Sequence, residues 1–155
     1  MPHCVILYTP NLDRKTDLSA LCRKLADTMI EQVDEGGKQI FPTGGTRVLA
    51  FPAAHYAVAD GGAAGLAAAS AKGWSKKEAP DYAFVYLNIR MATGRSEAAK
   101  KRAGDALTAV VKTHFDDVLL SSPLGITLQI DESPGQVYDA KISSLHPLFQ
   151  TSAPT

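Results

Sequence analysis

The 155-residue sequence predicts an α+β fold built from two βαβ repeats of α/β type. Three observations carry that expectation. Apolar patterns run strand, helix, strand, and then strand, helix, strand again. A shift of 78 residues sets CVILYT, from Cys4, beside YAFVYL, from Tyr82, and RKLADTM, from Arg23, beside KRAGDAL, from Lys101, without a gap. The length suits one domain that buries about 70% of the surface its unfolded chain would expose. Each repeat's helix must cross one face of a parallel strand pair. Two repeats joined edge to edge then give a four-stranded sheet with both helices on one face, in a single domain over residues 1–155. The other face is left in need of cover, which association with further copies supplies.

In order along the chain, Cys4 to Thr9 is rich in β-branched and aromatic residues and predicts a strand, closed by the turn-forming Pro10-Asn11. Thr16 is the expected N-cap of a helix whose inner face carries Leu18, Leu21, Cys22, Leu25, Met29 and Val33, ending at Gly36-Gly37. Thr46 to Phe51 forms the second strand after a Gly-Gly bend. From about residue 61 to 79 the composition turns to Ala and Gly with a basic patch. This reads as an inserted surface loop with a helical turn, or alternatively as a lid carrying Trp74. DYAFVYLNI is the third strand, and Ser96 caps a helix whose inner stripe is Ala99, Ala103, Ala106, Leu107, Val110 and His114. Leu124 to Glu132 alternates as the fourth strand, and a tail from Ser133 is expected to dock through Leu145, Leu148 and Phe149.

Composition narrows the function classes. Sixteen basic and sixteen acidic residues leave no net charge, so there is no pull toward nucleic acid or an anionic membrane. Any anion site must come from a few placed arginines. Cys4 and Cys22 lack the spacing of a zinc or CxxC site and are expected as reduced, buried thiols. With no signal-like amino terminus and no long apolar run, the chain reads as soluble and cytoplasmic. GxSxG, P-loop, GxGxxG and HExxH motifs are all absent, and His3, His55, His114 and His146 are scattered. Structural roles are expected for His3 and His146, His3 pointing away from Pro2 across the strand.

Three features remain. Pro2 follows the initiator methionine, whose removal would leave a secondary amine able to accept a proton; the plain alternative is a residue that merely opens a strand. Arg47, in GGTR, follows two glycines that allow close approach to the backbone. Arg95, in TGRS, stands just before a helix, where the helix dipole and free N–H groups already favour an anion and a guanidinium can clamp a carboxylate through two hydrogen bonds.

With MPHCVILYT, IFPTGGTRV, VADG, DYAFVYLNIRMATGRSEAAKKRAGDAL, VVKTHF and KISSLHPLF on the page, the chain resembles the 5-carboxymethyl-2-hydroxymuconate isomerases of the tautomerase superfamily. The resemblance spans nearly everything outside the insertion. It implies a homotrimer acting on a small unsaturated carboxylate with neither metal nor organic cofactor, Pro2 as general base, and Arg47 and Arg95 as substrate-binding residues that hold carboxylates and polarise the 2-oxo oxygen. Leu7 and Pro10 depart from the family's usual acidic residues, and Ser143-Ser144 from its asparagines. The physics suits those roles: burial and nearby guanidinium charge favour the neutral amine, and the same cations stabilise a developing enolate. Phenylpyruvate-type tautomerisation, hydration of an unsaturated acid, and a non-catalytic trimeric binding protein are the alternatives.

Overall fold

The structure is a computed structural model and describes residues 2–73, 81–135, 137–138 and 140–149. Its core is a four-stranded mixed sheet in the order β2-β1-β3-β4, formed by β1 (His3–Tyr8), β2 (Arg47–Pro52), β3 (Ala83–Ala92) and β4 (Leu124–Ser133). β1 runs parallel to β2, β3 runs parallel to β4, and the two pairs meet antiparallel through β1 and β3. Two βαβ units are thus joined edge to edge. Helices α1 (Leu18–Glu31) and α3 (Glu97–His114) cross over between the strands and pack against each other.

One face of the sheet carries the core. Cys4, Ile6 and Tyr8 of β1 alternate into it, as do Ala83, Val85, Leu87, Ile89 and Met91 of β3. They meet Leu21, Leu25 and Met29 of α1 and Ala99, Ala103, Leu107 and Val111 of α3. The 78-residue shift holds for the helices, since Leu21, Leu25 and Met29 map onto Ala99, Ala103 and Leu107, all six fully buried. It fails for the strands. The same shift sets Ile6 against Phe84 and Tyr8 against Tyr86, which point to the open face, so the strand repeat is offset by an odd number of residues. A side-chain period of two makes any odd slip exchange the faces.

Several local expectations are corrected. The first two strands are His3–Tyr8 and Arg47–Pro52, each shifted by one residue. Asp17 caps α1, its carboxylate accepting from the Ala20 amide at 2.9 Å, while Thr16 Oγ1 lies 2.8 Å from His114 Nε2. Helix α1 stops at Glu31, because Asp34 Oδ1 accepts from the Gly36 and Lys38 amides and closes a turn that pairs Val33 with Gln39. Gly36-Gly37 belongs to that turn, with Gly37 at φ 78°. Ser96 does cap α3, accepting from Ala99 at 3.0 Å. The inner stripe of α3 is a strict four-residue row running on to the buried Phe115, which leaves Ala106, Val110 and His114 half-buried. A short helix, α4 (Asp116–Ser121), follows it. Cys4 is buried and Cys22 only half-buried, both as free thiols, and burial pushes the Cys4 thiol up to about 12.

The insertion contains a full helix, α2 (Ala63–Lys72). The Gly65 amide donates to the Tyr82 hydroxyl at 2.7 Å, which ties α2 to the start of β3. That start lies beside Tyr8, whereas His3 pairs with Arg90 near the end of β3. Within one chain, α2 therefore sits at the end of the sheet opposite Pro2. Trp74, the residue the lid reading rests on, and the insertion from there to residue 79 fall outside the described residues.

Among the described residues, no helix covers the second face of the sheet. Its rows follow the strand register: Arg47, His3, Arg90 and Asp131; then Leu49, Val5, Asn88 and Gln129; then Phe51, Leu7, Tyr86 and Thr127. Leu7, Leu49, Phe51 and Phe84 make one end apolar and exposed. The other end is polar, with Asn88 Nδ2 donating to Asp131 at 2.6 Å and the Tyr86 hydroxyl to Gln129 at 2.7 Å. Among the described residues, no helix is long and apolar enough to cross a membrane.

The contact between His114 and Thr16 joins the end of α3 to the entry of α1. Burial, then the nearby Lys24 charge, holds the His114 imidazole below its usual 6.5, with Asp17 opposing. A folded-state value below the unfolded one means that the unfolded chain binds more protons between the two, so stability is complete above 6.5 and falls as pH drops toward the folded value. His114→Gln should flatten that loss in thermal melts between about pH 5 and about pH 7.5. An unchanged slope would assign the pH response to other groups.

Candidate active site

The strand register gathers the three sequence candidates at one end of the sheet. Pro2 is buried and directly precedes β1. Arg47 opens β2 as the register partner of His3, and Arg95 follows the end of β3, beyond the partner of His3 on its other side. Two parallel crossovers and one antiparallel junction place residues 2, 47 and 95 at the same end of the sheet, although the chain separates them by dozens of residues.

The glycines before Arg47 serve the protein itself. Thr43–Gly45 forms a 3₁₀ turn in which neither Gly44 nor Gly45 has a positive φ. What they provide is room. A Cβ on Gly45 would lie 3.3 Å from Pro2 Cδ, and one on Gly44 would lie 3.2 Å from Phe149 Cδ2 and 3.4 Å from His146 Cα. Pro2 and the chain's tail are thus seated on adjacent residues of one turn. Arg47 Nη1 donates back to the Gly45 carbonyl at 2.8 Å, which fixes the guanidinium beside that seat.

Arg95 is more heavily engaged. Its Nη1 donates to the carbonyls of Ala92 at 2.8 Å and Thr93 at 3.3 Å, and its Nη2 to that of Ile40 at 3.0 Å. The residue therefore clamps the loop after β3 to the segment leading into the Thr43–Gly45 turn. The anion-favouring start of α3 already has a carboxylate nearby: Glu35 accepts from Ser96 Oγ at 2.8 Å and from both Arg102 amino groups at 3.3 Å. These contacts, the Ser96 hydrogen bond first, hold Glu35 below the usual carboxylate range.

Two cavities frame the question of where substrate sits. The larger, about 460 Å³, lies under α2 and is walled by Val58, Ala68, Leu119 and Leu124, at the end of the sheet away from all three candidates. The other, about 380 Å³, opens between α1 and β2 and includes Arg47, Thr43, Thr46, Cys22 and Phe149 in its wall. Only the second holds a sequence candidate, Arg47, beside Arg23, which pairs with Asp27 at 2.6 Å; Pro2 and Arg95 are not among its lining residues. His146 Nδ1 rests 2.8 Å from Ser143 Oγ in the tail. Of the expected tail contacts, Phe149 reaches the Gly44 seat, whereas Leu148 is largely exposed. Sequence reasoning missed Phe149 as a cavity wall and the glycines as seats, because nothing local pairs residues about a hundred positions apart.

A family model described as 5-carboxymethyl-2-hydroxymuconate isomerase matches residues 2–149. The chain belongs to the 5-carboxymethyl-2-hydroxymuconate isomerase family. An Escherichia coli relative of that family, named 5-carboxymethyl-2-hydroxymuconate Delta-isomerase, is 26% identical over 150 residues, covering 97% of this chain and 100% of the relative. A crystal structure of a 5-carboxymethyl-2-hydroxymuconate delta-isomerase superposes with a TM-score of 0.88 at 50% identity, over 99% of this chain and 96% of that one. A 5-carboxymethyl-2-hydroxymuconate isomerase from Deinococcus radiodurans R1 gives 0.73 at 29% identity, over 97% and 95%. Membership of that family makes the chain an isomerase.

Proposed function

We propose that this family member isomerises 5-carboxymethyl-2-hydroxymuconate, or a close unsaturated polycarboxylate, in the cytoplasm and without a cofactor, using Pro2 as general base once Met1 is removed. The proton leaves the 2-hydroxyl, its O–H electron pair becomes the 2-oxo double bond, and the conjugated double bonds shift along the chain. A proton returned from the Pro2 ammonium to the distal carbon completes the 2-oxo-3-ene isomer. Protons and electrons balance within the substrate. The observation that carries this reading is the convergence of Pro2, Arg47 and Arg95 at one end of the sheet.

Burial of Pro2 disfavours its ammonium form, and Arg47 supplies positive charge for a carboxylate and for the enolate as it develops. Arg95, through its bonds to three carbonyls, sets the segment that carries the Pro2 seat. Its remaining N–H groups are available to the 2-oxo or carboxylate oxygens. We also propose a homotrimer, because the apolar end of the open sheet face, with Leu7, Leu49, Phe51 and Phe84, is the surface such association would cover.

The commitment of Arg95 to backbone carbonyls favours one second reading: a one-carboxylate substrate of the phenylpyruvate type, which needs a single guanidinium. Ultraviolet-monitored turnover of both compounds by Met1-free protein separates the two. The expected outcome is a kcat/KM for the muconate at least about a hundredfold above that for phenylpyruvate. The reverse ranking would replace the first reading with the second.

A further inference from the structure

We propose that Phe149, seated on Gly44, is a specificity-determining residue that packs against the carbon chain of a dicarboxylate held by Arg47. This deepens the proposed function and rests on its placement of Arg47 at a substrate carboxylate.

The argument begins with the cavity between α1 and β2. Arg47, Arg23, Thr43 and Thr46 supply its polar lining, and Ala26, Val48 and the Phe149 ring its apolar lining. A cavity of about 380 Å³ whose wall combines guanidinium groups with an aromatic ring suits an elongated acid with a hydrocarbon middle better than a compact, fully polar anion. A muconate skeleton has that form.

The position of the ring is set by backbone. The tail's 3₁₀ turn, His146–Phe149, lies on Gly44 so closely that an added Cβ would stand 3.4 Å from His146 Cα, a main-chain atom that moves only if the turn moves. The Leu148 amide donates to the Leu145 carbonyl at 3.1 Å, and the Leu145 and His146 amides donate to Ser143 Oγ at 3.1 Å, so the turn is internally tied. The adjacent Gly45 seats Pro2. Gly44 is therefore a positioning residue: it lets the tail bring an aromatic wall to the same short turn that holds the proposed base.

The test measures calorimetric binding of two non-reacting diacids to the full-length Met1-free protein. Malonate offers two carboxylates and little carbon between them, whereas adipate adds methylenes for the ring to cover. Phe149→Ala should weaken adipate about tenfold and malonate by less than about twofold. Phe149→Leu should keep adipate within about threefold of the parent, and Gly44→Leu, whose side chain extends well past a Cβ that already touches the ring, should reproduce Phe149→Ala by lifting the tail. A merely structural role would not produce dependence on diacid length.

Equal loss for both diacids, no loss for either, or no binding of adipate to the parent protein each overturns the inference. Its fate separates from that of the proposed reaction. Length-selective loss in a protein that converts no muconate leaves the Phe149 wall standing and removes the reaction, while muconate turnover with an unselective Phe149→Ala does the reverse.

Discussion

Pro2→Ala lowers kcat/KM for the muconate substrate by about 10³, the scale of a positioned general base. Alanine at position 2 leaves a primary amine after methionine removal, so a basic nitrogen survives, but its pKa and position change. Retention of Met1 acts more severely, because it turns the Pro2 nitrogen into a tertiary amide with no basic lone pair. Intact mass followed by turnover on processed and unprocessed batches checks both effects. Equal activity in all three samples would remove Pro2 from the chemistry and leave it as a residue that opens β1. A modest fall in melting temperature is expected for Pro2→Ala, since the strand's hydrogen bonds begin after it but its ring is buried against Gly45.

The two arginines should fail in different ways. Arg47→Ala removes one of the two guanidinium groups lining the cavity, leaving the Asp27-paired Arg23, and one bond to the Gly45 carbonyl; kcat/KM should fall about a hundredfold with little change in melting temperature. Arg95→Ala should lose activity on a similar scale. It should also cost about 1–3 kcal/mol of stability, because the Ile40 carbonyl gives up its guanidinium partner in a part-buried setting. Denaturant titration beside steady-state kinetics reads both. Full activity in a destabilised Arg95→Ala would confine that residue to anchoring the loops, and would shift weight toward a substrate held by Arg47 alone.

Much of this architecture was legible in the chain because local rules and tertiary demands agree. The β-branched and aromatic run of β1, the apolar run of β3, the three- and four-residue steps of α1 and the Ser96 cap are periodic or nearest-neighbour signals, and the strands and the cap fall where the structure puts them within three residues. Thr16 was the wrong cap because two adjacent residues both qualify chemically, and only the approach of His114 from α3 decides that Asp17 takes the Ala20 amide. The inner stripe of α3 was misread at Ala106, Val110 and His114 because a wide apolar stripe leaves its centre undefined until α1 and the sheet fix the rotation.

The sequence by itself determined the two βαβ repeats, and it nominated Pro2, Arg47 and Arg95 as the candidates for proton transfer and carboxylate binding. Those follow from side-chain chemistry and short-range spacing, which need no knowledge of what lies across the fold. The tertiary structure decided the rest. It set the odd slip between the strand repeats, put the α2 insertion at the end away from Pro2, committed Arg95 to the carbonyls of Ala92, Thr93 and Ile40, and brought Phe149 onto Gly44. Each of these is a contact between segments distant in the chain. Which pairs meet depends on how the whole sheet and its helices pack, and no pattern within either segment encodes it.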